Sequence, residues 1–414
     1  MAVILPSKAS DQHFSISNII SKFRSKRRAG SKDSTRQAQQ QHITHDTRPP
    51  LIAAPLPLVL PEHQQTLSNL GWTTVTFPQP TSEEASFPGE TTSEEHHHPA
   101  PGLHPLQQAY EALFAASQAF FNQPDDEKTQ WKHKLGSEEG WSKIPGEKEF
   151  ITLRTLEYCP EVLRGPAARY WNLMGAHLSS TLGRISTSLG LPDGEQEGLR
   201  KFVGPCSTMQ ATDATKTATM LRLFRYEGWE PKVVAEPHAD LGLLSIVVGN
   251  VPGLEVWDGT TWFGVEREVE QAGMKGASML AGRQLERMSN GRYPAGGHRV
   301  VSYGLPTTPQ QQQPQNSDDT TATPTLNCGN GDSGEEKRYR FSLVFVLRAH
   351  EPTIINSDEL ETEVTGRWDG PMRGVTAGKF FEEIRGKHYN INIDLKERER
   401  QKEKQRRKVQ SGMA

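Results

Sequence analysis

An imidazole and a carboxylate two residues apart, His238 and Asp240, constrain this chain more than any other feature, because an apolar, β-branched run follows them to Val248. The run reads as a strand. On extended backbone, residues i and i+2 share a face, so His238 and Asp240 present their side chains together. Such a pair is half of a site for a first-row transition metal. The other half must come from a different strand, and Gly297-His298-Arg299-Val300-Val301 offers an imidazole just ahead of a β-branched pair.

The rest of the chain supplies the frame. Its 414 residues suffice for a core without disulfides, yet only 34% are apolar, so several stretches must be solvated. Residues 1–48, with Lys22–Arg28 and the Gln37–Gln41 patch, read as a disordered basic tail, Pro306–Lys337 as a disordered insertion, and the His96–His98 triplet as solvated. A net charge of −3 argues against nucleic acid or acidic lipid as partner, and the chain has no long apolar run for a membrane. Three cysteines without CxxC spacing favour a reducing compartment. A cytoplasmic monomer acting on a small molecule is expected, with mitochondrial or nuclear addressing by the basic tail left open.

Strand patterns cover Leu56–Leu60, Gly71–Phe77, Met220–Tyr226 and Tyr339–Leu347, and an Asp258-Gly259 turn marks a hairpin over Gly253–Phe263. Helical periodicity spans Leu106–Phe121, stopped by Pro124, and Pro166–Leu189, and recurs at Phe380, Phe381 and Ile384. Lys396–Lys408 reads as a solvated charged helix. Short strands, frequent turns and no βαβ rhythm predict an antiparallel double sheet. The expected organisation is a helical region over 50–205, a β domain over 215–350, a helical region over 351–395 and a charged tail over 396–414.

Two imidazoles and one carboxylate on one side of a divalent ion leave its other positions open, the facial arrangement of non-haem Fe(II) oxygenases. His238, Asp240 and His298 fit that set. Arg340 and Ser342 are again i and i+2 on a strand, so a guanidinium and a hydroxyl face the same way. Together they can grip a carboxylate, as a dicarboxylate cosubstrate chelating iron at its other end would require.

These residues resemble the isopenicillin N synthase-like family of Fe(II)/2-oxoglutarate-dependent dioxygenases. The matching pieces are His238–Gly242, Gly253–Val256, Ser289–Arg292 leading to His298-Arg299-Val300, and Arg340-Phe341-Ser342. Phe120-Phe121 with Pro124 and Lys128, then Gly140-Trp141-Ser142 and Lys148-Glu149-Phe150, resemble the family's amino-terminal region. The resemblance implies a mainly β fold with flanking helices, built on a distorted double-stranded β-helix, or jelly roll. It implies Fe(II) held by His238, Asp240 and His298, 2-oxoglutarate held by Arg340 and Ser342 with help from Tyr226, and O2 as oxidant. The implied reaction decarboxylates 2-oxoglutarate to succinate while hydroxylating, desaturating or cyclising a small organic molecule. Phe224 stands where the family often has Asn, and Arg340 lies unusually far beyond His298. A 2-oxoglutarate-independent oxidase and a non-catalytic binding module on the same barrel are the competing readings.

Overall fold

The computed structural model describes residues 46–77, 104–133, 138–227, 230–304, 339–388, 392–393 and 395–410. In chain order the first elements are α1 (Thr66–Leu70), β1 (Trp72–Phe77), α2 (Pro105–Phe121), α3 (Asp125–Thr129), β2 (Gly140–Ile144), β3 (Lys148–Leu153) and α4 (Glu161–Ser188). Then come β4 (Met220–Tyr226), β5 (Lys232–His238), β6 (Leu244–Gly249), β7 (Leu254–Trp257), β8 (Trp262–Phe263), α5 (Val265–Gln271), β9 (Lys275–Ala281) and α6 (Arg283–Met288). The last are β10 (His298–Ser302), β11 (Arg340–Leu347), β12 (Ile354–Ile355), β13 (Val375–Thr376), α7 (Ala377–Arg385) and α8 (Leu395–Gln410).

Two antiparallel sheets dominate. One has seven strands in the order β1-β9-β6-β11-β4-β3-β2, the other four in the order β5-β10-β7-β8. Period-two alternation decides what each face of the large sheet meets. Leu221 and Leu223 of β4, Ile151 and Leu153 of β3, and Phe341, Leu343, Phe345 and Leu347 of β11 enter one core with α2 and α4. Phe224, Tyr226, Phe150, Val247 and Leu280 point the other way, to a second core shared with Val234, Leu254, Val256 and Val300 of the small sheet. Each fully buried Leu or Phe contributes roughly 1.5–3 kcal/mol. The helix-side core is the larger, so it can hold the sheet while the inter-sheet face carries polar groups. Arg340, Ser342, Arg222, Thr152 and Lys148, all buried, have the parity of that face.

Three expectations are corrected. Leu56–Leu60 forms no strand: Leu58 adopts φ 62°, and the Gln64 side chain, rather than a neighbouring strand, satisfies the backbone of Leu56 and Val59. The long helix starts at Glu161, so Pro166 lies inside it. A proline there costs about 3 kcal/mol, which the buried stripe through Leu163, Tyr170, Trp171, Met174, Leu178 and Leu182 outweighs. Residues 50–205 contribute β1, β2 and β3 to the large sheet and so do not stand apart from it. Nor is the charged tail simply solvated: Arg398 of α8 is 4% exposed and donates to Glu147 Oε2 at 2.6 Å and to the Ile393 carbonyl at 2.8 Å. The Pro306–Lys337 insertion, the His96–His98 triplet and the basic tail up to residue 45 lie outside the described residues. Among those described, no helix is long and apolar enough to cross a membrane.

Candidate metal centre

His238 is the last residue of β5 and His298 the first of β10, and the antiparallel register pairs them directly. Their ring centroids lie 4.1 Å apart. Asp240 is not on that strand. It sits two residues on, in the bend between β5 and β6, so the strand expected through both residues ends at the histidine. Tertiary contacts fix the bend: the Asp240 carbonyl accepts from the Arg283 amide at 2.8 Å and the Gly242 carbonyl from the Gln284 amide at 3.0 Å. Gly242 passes so close to β11 that a Cβ would stand 2.6 Å from the Leu347 carbonyl oxygen. With the bend held there, Asp240 Oδ1 lies 4.0 Å from His238 Nε2, and one ligand atom from each of the three residues falls within 4.8 Å of the others.

The imidazoles are oriented for coordination. His238 Nδ1 is 2.7 Å from the Glu236 carbonyl and His298 Nδ1 is 3.1 Å from that of Gly296. A carbonyl only accepts, so each Nδ1 carries the proton and each Nε2 keeps its lone pair. Burial, reinforced by the neighbouring His298 ring, holds His238 far below the usual histidine range and therefore neutral. Burial raises the Asp240 carboxyl, while positive charge nearby, from the imidazoles whenever they are protonated and from Arg348, draws it below its ordinary value.

Arg340 and Ser342 share the inter-sheet face of β11, and Tyr226 is the register partner of Arg340 across β4. The guanidinium lies 5.7 Å from the Tyr226 ring centre. Arg340 Nε is buried and lacks a hydrogen-bond partner among the described residues, and beside it on the strand the buried Ser342 hydroxyl approaches that of Tyr226. Burial pushes the Tyr226 hydroxyl up, so it stays protonated. The structure adds a residue that sequence reasoning missed. Glu266 of α5 takes Arg340 Nη2 at 2.9 and 3.2 Å and also accepts the Gly253 and Leu254 amides at 2.8 Å each. Nothing local marks it among the glutamates of α5; only the fold brings it under Arg340. Gly253 owes its place to the same cluster, because a Cβ there would stand 2.3 Å from Arg340 Nε. Gly253→Ala is therefore expected to turn the guanidinium aside and weaken 2-oxoglutarate binding about tenfold or more, while iron affinity changes little; parallel titrations check it.

No protein-family profile matches the chain, and no curated protein matches it in sequence. Solved structures do. JOX2, crystallised with 2OG, Fe and JA, is 15% identical, superposes with a TM-score of 0.50, and the match covers 88% of this chain and 95% of that one. The dioxygenase for auxin oxidation from rice matches at 16% identity and 0.48, over 78% and 86%. A full-length Neurospora crassa protein crystallised in complex with alpha-KG matches at 16% and 0.45, over 67% and 82%. At the level of fold, this is the class the motifs resemble: antiparallel sheets with flanking helices, shared with 2-oxoglutarate–iron(II) oxygenases.

Proposed function

We propose that this protein is an Fe(II)- and 2-oxoglutarate-dependent dioxygenase, its two sheets forming a distorted jelly roll that oxidises a small organic molecule. The observation that carries the reading is the convergence of His238, Asp240 and His298, with both Nε2 lone pairs free and both Nδ1 protons tied to carbonyls. Two neutral nitrogens and one carboxylate suit a divalent iron and leave its other positions open. When bound, the ion activates O2 and serves as a template for cosubstrate and substrate. The ligands carry one negative charge against the ion's two positive, which favours an anionic cosubstrate beside them.

Arg340 and Ser342 anchor the far carboxylate of that cosubstrate. The unpaired Arg340 N–H and the neighbouring Ser342 and Tyr226 hydroxyls are the donors such a group needs, Tyr226 being kept protonated by burial. Glu266 orients the guanidinium and spends one of its terminal nitrogens. That contact is also the observation favouring a 2-oxoglutarate-independent oxidase, in which the Arg340–Glu266 pair would be structural.

Anaerobic addition of Fe(II) and then 2-oxoglutarate separates the readings. The dioxygenase gives the weak visible band of the chelate and, with O2, succinate; an oxidase binds iron but shows neither. Arg340→Gln is expected to weaken 2-oxoglutarate binding by about 10- to 100-fold with iron affinity within a fewfold of wild type. Equal loss of both would remove Arg340 from the anchor.

A further inference from the structure

The inter-sheet face carries more positive charge than the metal centre or the Arg340 anchor uses. Arg222 lies four residues before Tyr226 on β4, about 13 Å along the strand and opposite Val344 rather than Arg340. Its Nε donates to Thr152 Oγ1 at 2.7 Å, and its guanidinium sits 5.5 Å from the Phe150 ring centre. Its terminal nitrogens have no oxygen partner among the described residues; Nη2 meets only the Met220 sulfur, at 3.5 Å. Thioether sulfur is a weak acceptor.

Arg348, just beyond β11, reaches the same sulfur at 3.8 Å, so the two guanidiniums flank one atom. Glu138 takes the Arg348 fork at 2.5 and 3.3 Å, the Ala218 carbonyl accepts from Nη1 at 3.2 Å, and the Phe381 ring lies 4.4 Å away. Arg348 Nε is left buried without a partner among the described residues. Glu138 is the only described carboxylate in an ion pair with either arginine. Burial would raise its carboxyl, yet Arg348, with Arg222 and Arg154 behind it, draws it down to about 2. Glu138, itself 31% exposed, is thus the one ion-paired carboxylate among the described residues beside two guanidiniums that are buried, where uncompensated charge is costly.

The pair adjoins the metal centre. The Leu347 carbonyl, immediately before Arg348, holds the Leu243 amide at 2.8 Å, three residues past Asp240. The Asp240 carboxylate acts electrostatically on Arg222, and Arg348 on Asp240.

We propose that Arg222 and Arg348 form an anion subsite of the substrate pocket and that the substrate is a small organic acid held by its carboxylate. This deepens the dioxygenase reading and rests on it for the word substrate. A planar carboxylate across the free Arg222 terminal nitrogens would supply the missing counter-charge, with Arg348 fixed behind by Glu138. The subsite is distinct from the anchor at the other end of β11, so cosubstrate and substrate carboxylates need not compete.

The test uses the full-length protein and matched probes: phenylacetate, cinnamate and decanoate, each beside its primary amide, followed by ligand-observed NMR and calorimetry without metal and again after anaerobic loading with Fe(II) and 2-oxoglutarate. Members of the acid series are expected to bind at least tenfold tighter than their amides. Arg222→Gln should abolish that preference, and Arg222→Lys, which keeps the charge but not the fork, should restore part of it. Arg348→Gln is read only beside its melting curve, because it also strands Glu138. Equal binding of acids and amides, no binding of any acid, or an undiminished preference in Arg222→Gln would overturn the subsite. The wild-type chelate band is scored separately: its presence with no acid preference sinks this inference alone, and its absence with the preference intact sinks only the cofactor reading.

Discussion

Asp240→Ala is expected to bind Fe(II) more than 100-fold more weakly than wild type and to form no measurable succinate. Outer-shell partners of metal ligands cost about 10- to 100-fold when removed, and in the proposed site Asp240 belongs to the inner set and contributes its only negative charge. Its position does not depend on the metal, because the Asp240 and Gly242 carbonyls are bonded to the Arg283 and Gln284 amides. The variant should therefore keep the bend and lose only the ligand. Anaerobic Fe(II) titration, with the melting curve of the metal-free protein beside it, measures both. An iron affinity within tenfold of wild type would place the carboxylate outside the coordination set.

The contrast between Asp240 and Arg340 shows what was readable in the chain. Arg340 and Ser342 lie inside a strand, where side-chain parity is a local property, so spacing alone put them on one face. His238 and Asp240 have the same spacing, but the strand ends at His238 and the bend after it is set by contacts with α6 and β11, more than 40 residues away in sequence. Spacing at i and i+2 singled out two residues that the fold does bring together, although the second lies beyond the strand that the spacing assumed. Glu266 and Glu138 were illegible for a stronger reason: each matters only because the fold delivers an arginine to it from a distant segment. Pro166 misled because proline at a first helical turn is good punctuation, whereas here a buried apolar stripe overrides it. The upstream pieces Phe120-Phe121, Lys128, Trp141 and Lys148-Glu149-Phe150 had no stated common purpose in the sequence. In the structure several of them meet in one buried cluster.

That cluster sets the largest stability effect. Glu149 of β3 is fully buried and accepts Lys128 Nζ from α3 at 3.0 Å and Trp141 Nε1 from β2 at 3.0 Å, while Arg225 of β4 closes an ion pair with it. Lys128 is 1% exposed and also donates to the Phe121 carbonyl at the end of α2. One carboxylate therefore ties α3, β2 and β4 to β3, and bulk solvent does not reach it. Glu149→Leu would leave buried Lys128 with only the half-exposed Asp125 as counter-charge and deprive Arg225 of its described ion pair, and breaking a buried pair from one side costs about 3–5 kcal/mol. Against a typical total of about 5–15 kcal/mol, the urea midpoint should fall steeply. Adding Lys128→Met to Glu149→Leu should recover part of the loss, since removing both charges spares the desolvated lysine. Glu149 has the helix-side parity of β3, whereas Lys148 and Phe150 face the other sheet, so at temperatures where Glu149→Leu is folded its Fe(II) affinity should match wild type. A single variant as stable as wild type would show that Arg225 and Lys128 find other partners, and a matching loss of iron affinity would show that the two faces of the sheet are coupled.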